Sequence, residues 1–167
     1  MTSILKVDNI QNASGASALS IDSSGVVTQP QIPCCYVKLT TSNAQDPSNP
    51  YITYNTDIRF DNIILNRGSC YSESTGRFTV PVAGIYEAKF TILTENTTTQ
   101  DHSIIIQKNG ATASHGFNNI DSQHVQITTF YLSECVVGDY FTVQLTGGNI
   151  FIDASGQYSA FSVKLVG

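Results

Sequence analysis

Charge is what this chain has least of. Asp, Glu, Lys and Arg make up 13% of its 167 residues, about half the share of an ordinary soluble domain. Ser, Thr, Asn and Gln fill the gap with 18, 18, 12 and 10 residues, so the surface is expected to be polar but mostly uncharged. A net charge of −5 leaves no basic footprint for nucleic acid or an anionic membrane. Long apolar runs are missing too. Stretches such as Ile104–Ile105–Ile106 fall far short of the ~20 apolar residues that cross a bilayer, so no membrane insertion is expected. The start of the chain, Met1-Thr2-Ser3-Ile4-Leu5-Lys6-Val7, lacks the charged opening and apolar stretch of a secretion signal. Tryptophan is absent, but eight Tyr and eight Phe, with many Ile and Val, supply a core and exclude a wholly disordered chain.

Cysteine is scarce and poorly spaced for chemistry. Cys34 and Cys35 are adjacent, Cys70 and Cys135 isolated, and no CxxC or Cys–His ligand spacing occurs. Without a secreted context the expectation is four reduced, mostly buried thiols, with Cys34 and Cys35 exposed near a linker. Histidines number three: His102, His115 and His124. Asp101-His102-Ser103 contains the residue types of a catalytic triad, but consecutive residues of a strand point to opposite faces and do not converge. His102 and His124 on neighbouring strands would be the one two-histidine metal arrangement. The carboxylates Asp57, Asp61, Asp139 and Asp153 are scattered singly, and neither a calcium loop nor a phosphate loop is spelled out. The pattern predicts no enzyme, no cofactor and no metal.

What is present is two-residue periodicity. Tyr86, Ala88, Phe90 and Ile92 share one face of an extended segment, with Glu87, Lys89 and Thr91 on the other. Phe78, Val80 and Val82 alternate before it, and Pro81 limits that piece to an edge or irregular strand. Phe141, Val143 and Leu145 alternate in turn, as do Phe161, Val163 and Leu165. Asn109-Gly110 is a hairpin signal, Val137-Gly138-Asp139 and Thr146–Asn149 mark turns, and 41–50 reads as a loop. Short strands at this spacing predict an all-β sandwich or jelly roll.

The first 33 residues differ. Ser14-Gly15 and Ser24-Gly25 are turn pairs ten residues apart, and the apolar content is too sparse for an independent core. Ile4, Leu5, Val7, Ile10, Leu19 and Ile21 carry most of it, so this extended β segment is expected to dock on something else. Pro30 and Pro33 read as a stiff junction, giving an attachment segment at 1–33 and a globular domain at 34–167.

The later part of the chain resembles the C1q-like globular domain of the C1q and tumour necrosis factor superfamily. The likeness runs through Asn66-Arg67-Gly68, Tyr71, the block from Thr75 through Gly76, Phe78, Pro81 and Gly84 to Tyr86, and Phe90. It continues with Lys108-Asn109-Gly110, Gly138-Asp139-Tyr140-Phe141 and the closing Phe161-Ser162-Val163-Lys164-Leu165. The resemblance implies a jelly roll of about ten strands that forms compact homotrimers, with these residues as scaffold.

Ile4–Gly15 and Ala18–Val27 in turn resemble the leader of structural proteins of tailed phages. That implies a virion component assembled in the host cytoplasm. Its leader would hold other virion proteins, of tail or capsid, and its trimeric fibre knob would adsorb to host-surface glycan. The alternative is a capsid decoration or head-fibre protein that stabilises or covers the shell. The recognition site is expected in loops, 94–101 and 112–123, the latter carrying His115, Phe117, Asn118 and Asn119. There Phe117 would stack on a sugar ring while the asparagines bond its hydroxyls.

Overall fold

The computed structural model describes residues 6–29, 31–41, 55–95, 100–120 and 124–167. Ile4, Leu5, Pro30, nearly all of the 41–50 loop and the 96–99 and 121–123 parts of the two expected recognition loops lie outside these. The chain forms two compact units, Met1–Ile32 and Pro33–Gly167. The division falls one residue before the expected boundary, and the Pro33 carbonyl already accepts from the Leu165 N–H at 3.1 Å.

The first unit is a three-stranded antiparallel sheet of β1 (Asn9–Gln11), β2 (Ser17–Ile21) and β3 (Val27–Thr28). Its two turns repeat one device. Asn12 Oδ1 accepts from the N–H groups of Ser14 and Ala16, and Asp22 Oδ1 from those of Ser24 and Val26. A short side-chain acceptor replaces the backbone one and bends the chain. None of the described residues 6–29 is buried. Ile10 and Ile21 are exposed, as are Val26 and Val27, while Val7 and Leu19 are half-buried.

The second unit is a jelly-roll sandwich with no helix among its described residues, and so none long and apolar enough to cross a membrane. Its strands are β4 (Cys34–Lys38), β5 (Asn62–Arg67), β6 (Tyr71–Ser72), β7 (Arg77–Thr79), β8 (Gly84–Glu95), β9 (Gln100–Lys108), β10 (Ala111–Ile120), β11 (Val125–Cys135), β12 (Tyr140–Gly147), β13 (Asn149–Ile150) and β14 (Ala160–Leu165). One sheet runs β10-β9-β12-β7-β6. The other runs β11-β8-β14-β4-β5, with β13 also on β8. Eleven strands are described where about ten were expected; β6 and β13 are two-residue pieces.

Period-two patterning decides the core. Tyr86, Ala88, Phe90 and Ile92 are fully buried, as are Phe141, Val143, Leu145, Phe161 and Val163. Phe161 stacks on Phe60 at 5.7 Å between ring centres. The Tyr71 hydroxyl accepts from the Phe60 N–H at 2.9 Å and donates to the Phe60 carbonyl at 3.1 Å, so its polar end is satisfied inside. Asn66 bonds both backbone groups of Tyr71, which accounts for the Asn66…Tyr71 pairing in the sequence.

The strand expected over Phe78–Val82 stops earlier. β7 ends at Thr79; Phe78 and Val80 are buried, whereas Val82, beyond Pro81, is exposed. Gly76 lies in the turn between β6 and β7 at φ 68°. A Cβ on Gly84 would stand 2.7 Å from the Gly167 carbonyl oxygen and 2.6 Å from Leu165 Cδ1, so only glycine admits the C-terminal strand there. Asn109 and Gly110 have φ of 54° and 79°, the conformation a two-residue hairpin needs. Asp139, after the positive-φ Gly138, accepts from Asn109 Nδ2 at 2.8 Å and from the Val136 N–H at 3.0 Å, and pairs with Lys108 at 3.2 Å.

Candidate functional site

The expected recognition loop is a strand. Ala111–Ile120 pairs with β9 along its length at the edge of the five-stranded sheet. The hairpin turn sets the ladder going, and backbone pairing with Gln100–Lys108 keeps Gly116, Asn118 and Asn119 extended although all three are turn-formers by type. Likewise, of 94–101, residues 94–95 end β8 and 100–101 begin β9.

Alternation then sorts the four named residues. His115, Phe117 and Asn119 are exposed on the outer face, whereas Asn118 is half-buried on the opposite face, across from the fully buried His102. Phe117 is 57% exposed, with the His115 ring edge-on to it at 6.2 Å. The same outer face receives Asp101 opposite Asn119 and Ser103 opposite Phe117 from β9, and Thr146 from β12. Asn119 Nδ2 donates to Asp101 Oδ1. Farther along, Gln107 and Gln144 join amide to amide, and Thr142 donates to Gln107. Asp101 and Ser103 stood out in the sequence only as members of the triplet, Asp101 also as the end of the 94–101 loop, and Thr146 only as the start of a turn.

Ser103 Oγ lies 2.6 Å from His115 Nε2 and 2.5 Å from Thr146 Oγ1. A serine–histidine contact invites a catalytic reading, and the proton count argues against it. Thr146 Oγ1 also reaches the Ser103 carbonyl, a pure acceptor, at 3.1 Å, and with its hydrogen directed there it accepts from Ser103. The serine hydrogen is then spent, and His115 Nε2 is the donor to Ser103 Oγ. That is the reverse of a base activating a nucleophile.

Asp101, His102 and Ser103 diverge as expected, because His102 points into the sandwich. Neither of its ring nitrogens has a hydrogen-bond partner, and burial pulls its pKa below the ordinary value. It fits beneath Gly148, where a Cβ would stand 2.1 Å from His102 Nδ1. His124 turns elsewhere: its Nδ1 meets the Thr94 carbonyl at 3.0 Å and its ring packs on Phe151. The described residues hold no group of three metal-ligating side chains. Asp61 is occupied by Thr40 and Thr41. All four cysteines are free thiols. Cys35, expected near the surface, is buried instead, and burial pushes its pKa up to about 12; Cys34 is half-exposed.

The outer face of the six-stranded sheet has a different character. One row crosses it through register partners: Phe130, Lys89, Ser162, Tyr36 and Leu65. The apolar ends of that row are exposed, Phe130 by 67% and, at the far edge, Tyr36 by 39% and Leu65 by 40%. Between them a groove of about 300 Å³ is lined by Tyr36, Lys89, Tyr158, Ala160 and Ser162 among others.

Residues 40–166 match the C1q domain family. The chain belongs to that family. Domains of this kind are generally non-enzymatic and usually form homotrimers. The C1q domain is 32% identical over 94 residues, 56% of this chain, to the mouse complement C1q and tumor necrosis factor-related protein 9, and the match spans 27% of that protein. Its fold is similar to the globular domain of zebrafish complement 1qA protein, with a TM-score of 0.64 at 15% identity over 81% of this chain and 98% of the other. It is similar also to murine APRIL (TM-score 0.61, 15% identity, 81% and 99% covered) and to Eiger TNF from S. frugiperda (0.61, 10%, 82% and 94%). At these identities the likeness concerns the fold.

Proposed function

We propose that this protein is a non-catalytic, homotrimeric knob of a tailed-phage virion. The leader joins it to the particle, and the C1q domain adsorbs to neutral glycan on the host surface. The observation that carries this reading is the contrast between the two outer faces of one sandwich. The six-stranded face bears two exposed apolar edges that differ from each other, Phe130 with Leu132 and Tyr36 with Leu65. Unlike edges suit a head-to-tail contact, which closes into a ring when each copy is rotated by a third of a turn. The five-stranded face carries hydrogen-bonded amides and hydroxyls around one exposed aromatic ring, and stays outward in such an assembly. The leader supports attachment: its sheet leaves Ile10, Ile21, Val26 and Val27 uncovered within its own unit.

The test compares full-length protein with protein lacking residues 1–30, in adsorption to host cells and incorporation into particles. Full-length protein is expected to adsorb and to join particles. The truncated protein should keep a cooperative, β-rich melt and still adsorb, yet be missing from particles. Incorporation of the truncated protein would refute the anchor. Failure of full-length protein to adsorb would favour the decoration role, in which the same face covers the shell.

A further inference from the structure

We infer that Phe117, Asp101 and Asn119 form a subsite for a neutral pyranoside with adjacent hydroxyls. The inference rests on the adsorption reading and names its ligand class and contacts, including Asp101, which the sequence placed in the 94–101 loop without a contact role.

The three side chains belong to one face of one hairpin and need no movement to converge. Asn119 lies two residues beyond Phe117 on β10, so both point outward. Asp101 lies directly across the ladder from Asn119. The Phe117 ring is 57% exposed, and among the described residues the His115 ring packs T-shaped against it. A pyranose presents an apolar face of C–H groups to such a ring and its hydroxyls to the rim.

The rim is arranged for hydroxyl pairs. One Asp101 oxygen accepts from Asn119 Nδ2, which sets the carboxylate and the amide side by side. The other carboxylate oxygen is an acceptor for one sugar hydroxyl, and the second amide hydrogen of Asn119 is a donor to the next. A hydrogen bond to a carboxylate is stronger than one between neutral groups, so Asp101 is the anchoring contact. Asp101 also sets the ligand's charge. With the chain's net charge of −5, it opposes uronic acids, sulfated sugars and nucleic acid. Asn118 faces the sandwich interior and takes no part.

The experiment uses the full chain, with retention on immobilised galactomannan and dextran as neutral probes and alginate as the anionic one. Wild type should bind at least one neutral polymer and not alginate. Phe117→Ala and Asp101→Asn should each weaken binding by about tenfold or more, with melting temperatures unchanged because both side chains are on the surface. Phe117→Tyr should stay within about threefold of wild type, and Asn118→Ala should equal it. Binding that survives both Phe117→Ala and Asp101→Asn, preference for alginate, or no binding to either neutral polymer overturns the subsite. Host-cell adsorption separates this from the broader reading. If wild type and both variants adsorb equally, the subsite falls and adsorption stands. If neutral polymer binding depends on these residues but wild type does not adsorb to cells, the subsite stands and adsorption falls.

Discussion

Gly116 lies directly beneath Ile127. A Cβ added to it would stand 2.5 Å from Ile127 Cγ2 and 3.2 Å from Phe90 Cζ. The edge strand of one sheet therefore closes on the other sheet only because this position has no side chain. Gly116→Ala should destabilise the fold by about 1–3 kcal/mol, the usual range for overpacking. Removing that Cγ2 in Gly116→Ala/Ile127→Ala should leave the double variant less destabilised than the sum of the two single ones. Equal melting temperatures for wild type and Gly116→Ala would contradict this packing.

His102 makes stability depend on mild acid. Buried without a hydrogen-bond partner, it binds a proton less readily than in the unfolded chain, whose histidine titrates near pH 6.5. The unfolded state thus takes up more protons below that pH, and stability present above about pH 6.5 is lost as the pH falls. The limiting slope is about 1.4 kcal/mol per pH unit. Thermal melts between pH 7 and 5 should fall steeply for wild type and more gently for His102→Leu. Parallel pH profiles would show that His102 is not the group responsible.

Asp139 ties the Asn109-Gly110 turn to the Gly138 turn. The hydrogen bond from Asn109, followed by that from the Val136 N–H, holds its carboxyl below the usual carboxylate range. Its contribution is complete above the unfolded value near pH 4 and disappears as the pH falls below it. Asp139→Ala should cost about 1–2 kcal/mol at neutral pH through lost hydrogen bonds, and the difference from wild type should shrink in strong acid. Denaturant melts at two pH values measure it.

Phe130→Asp places a charge at one apolar edge of the six-stranded face. Light scattering should give about three times the 18.1 kDa chain mass for wild type and the single-chain mass for Phe130→Asp, with far-ultraviolet circular dichroism unchanged. Leu65→Asp, at the other edge, should act alike, because a head-to-tail contact uses both edges once. An undiminished assembly in both variants would move the contact elsewhere.

Much of the sandwich was legible because burial on one face writes itself as alternation. Tyr86 through Ile92, Phe141 through Leu145, and Phe161 with Val163 all point inward as their spacing required. The Asn109-Gly110 turn was legible for the same local reason, since few residue types accept positive φ. The recognition face was not. Gly116, Asn118 and Asn119 read as loop residues because propensity is local, while the ladder to β9 that holds them extended is not. Asp101 and Asn119 are 18 positions apart, and nothing local announces that they meet.

What the sequence determined was the hairpin; which residues of it face outward was decided by tertiary packing. Continued from the Ala111–Lys108 pair without interruption, the turn would set Phe117 opposite His102 and Asn118 opposite Asp101. Phe117 would then point into the sandwich. A bulge between Thr112 and Ser114 shifts the register by one, and a one-residue shift in a strand exchanges its two faces. The reason is steric. Ile104 is fixed inward by the core, so its partner on β10 must fit under Ile127 and Phe90, and Gly116 is the residue with room to do so. The bulge brings it there, and Phe117 comes out to solvent.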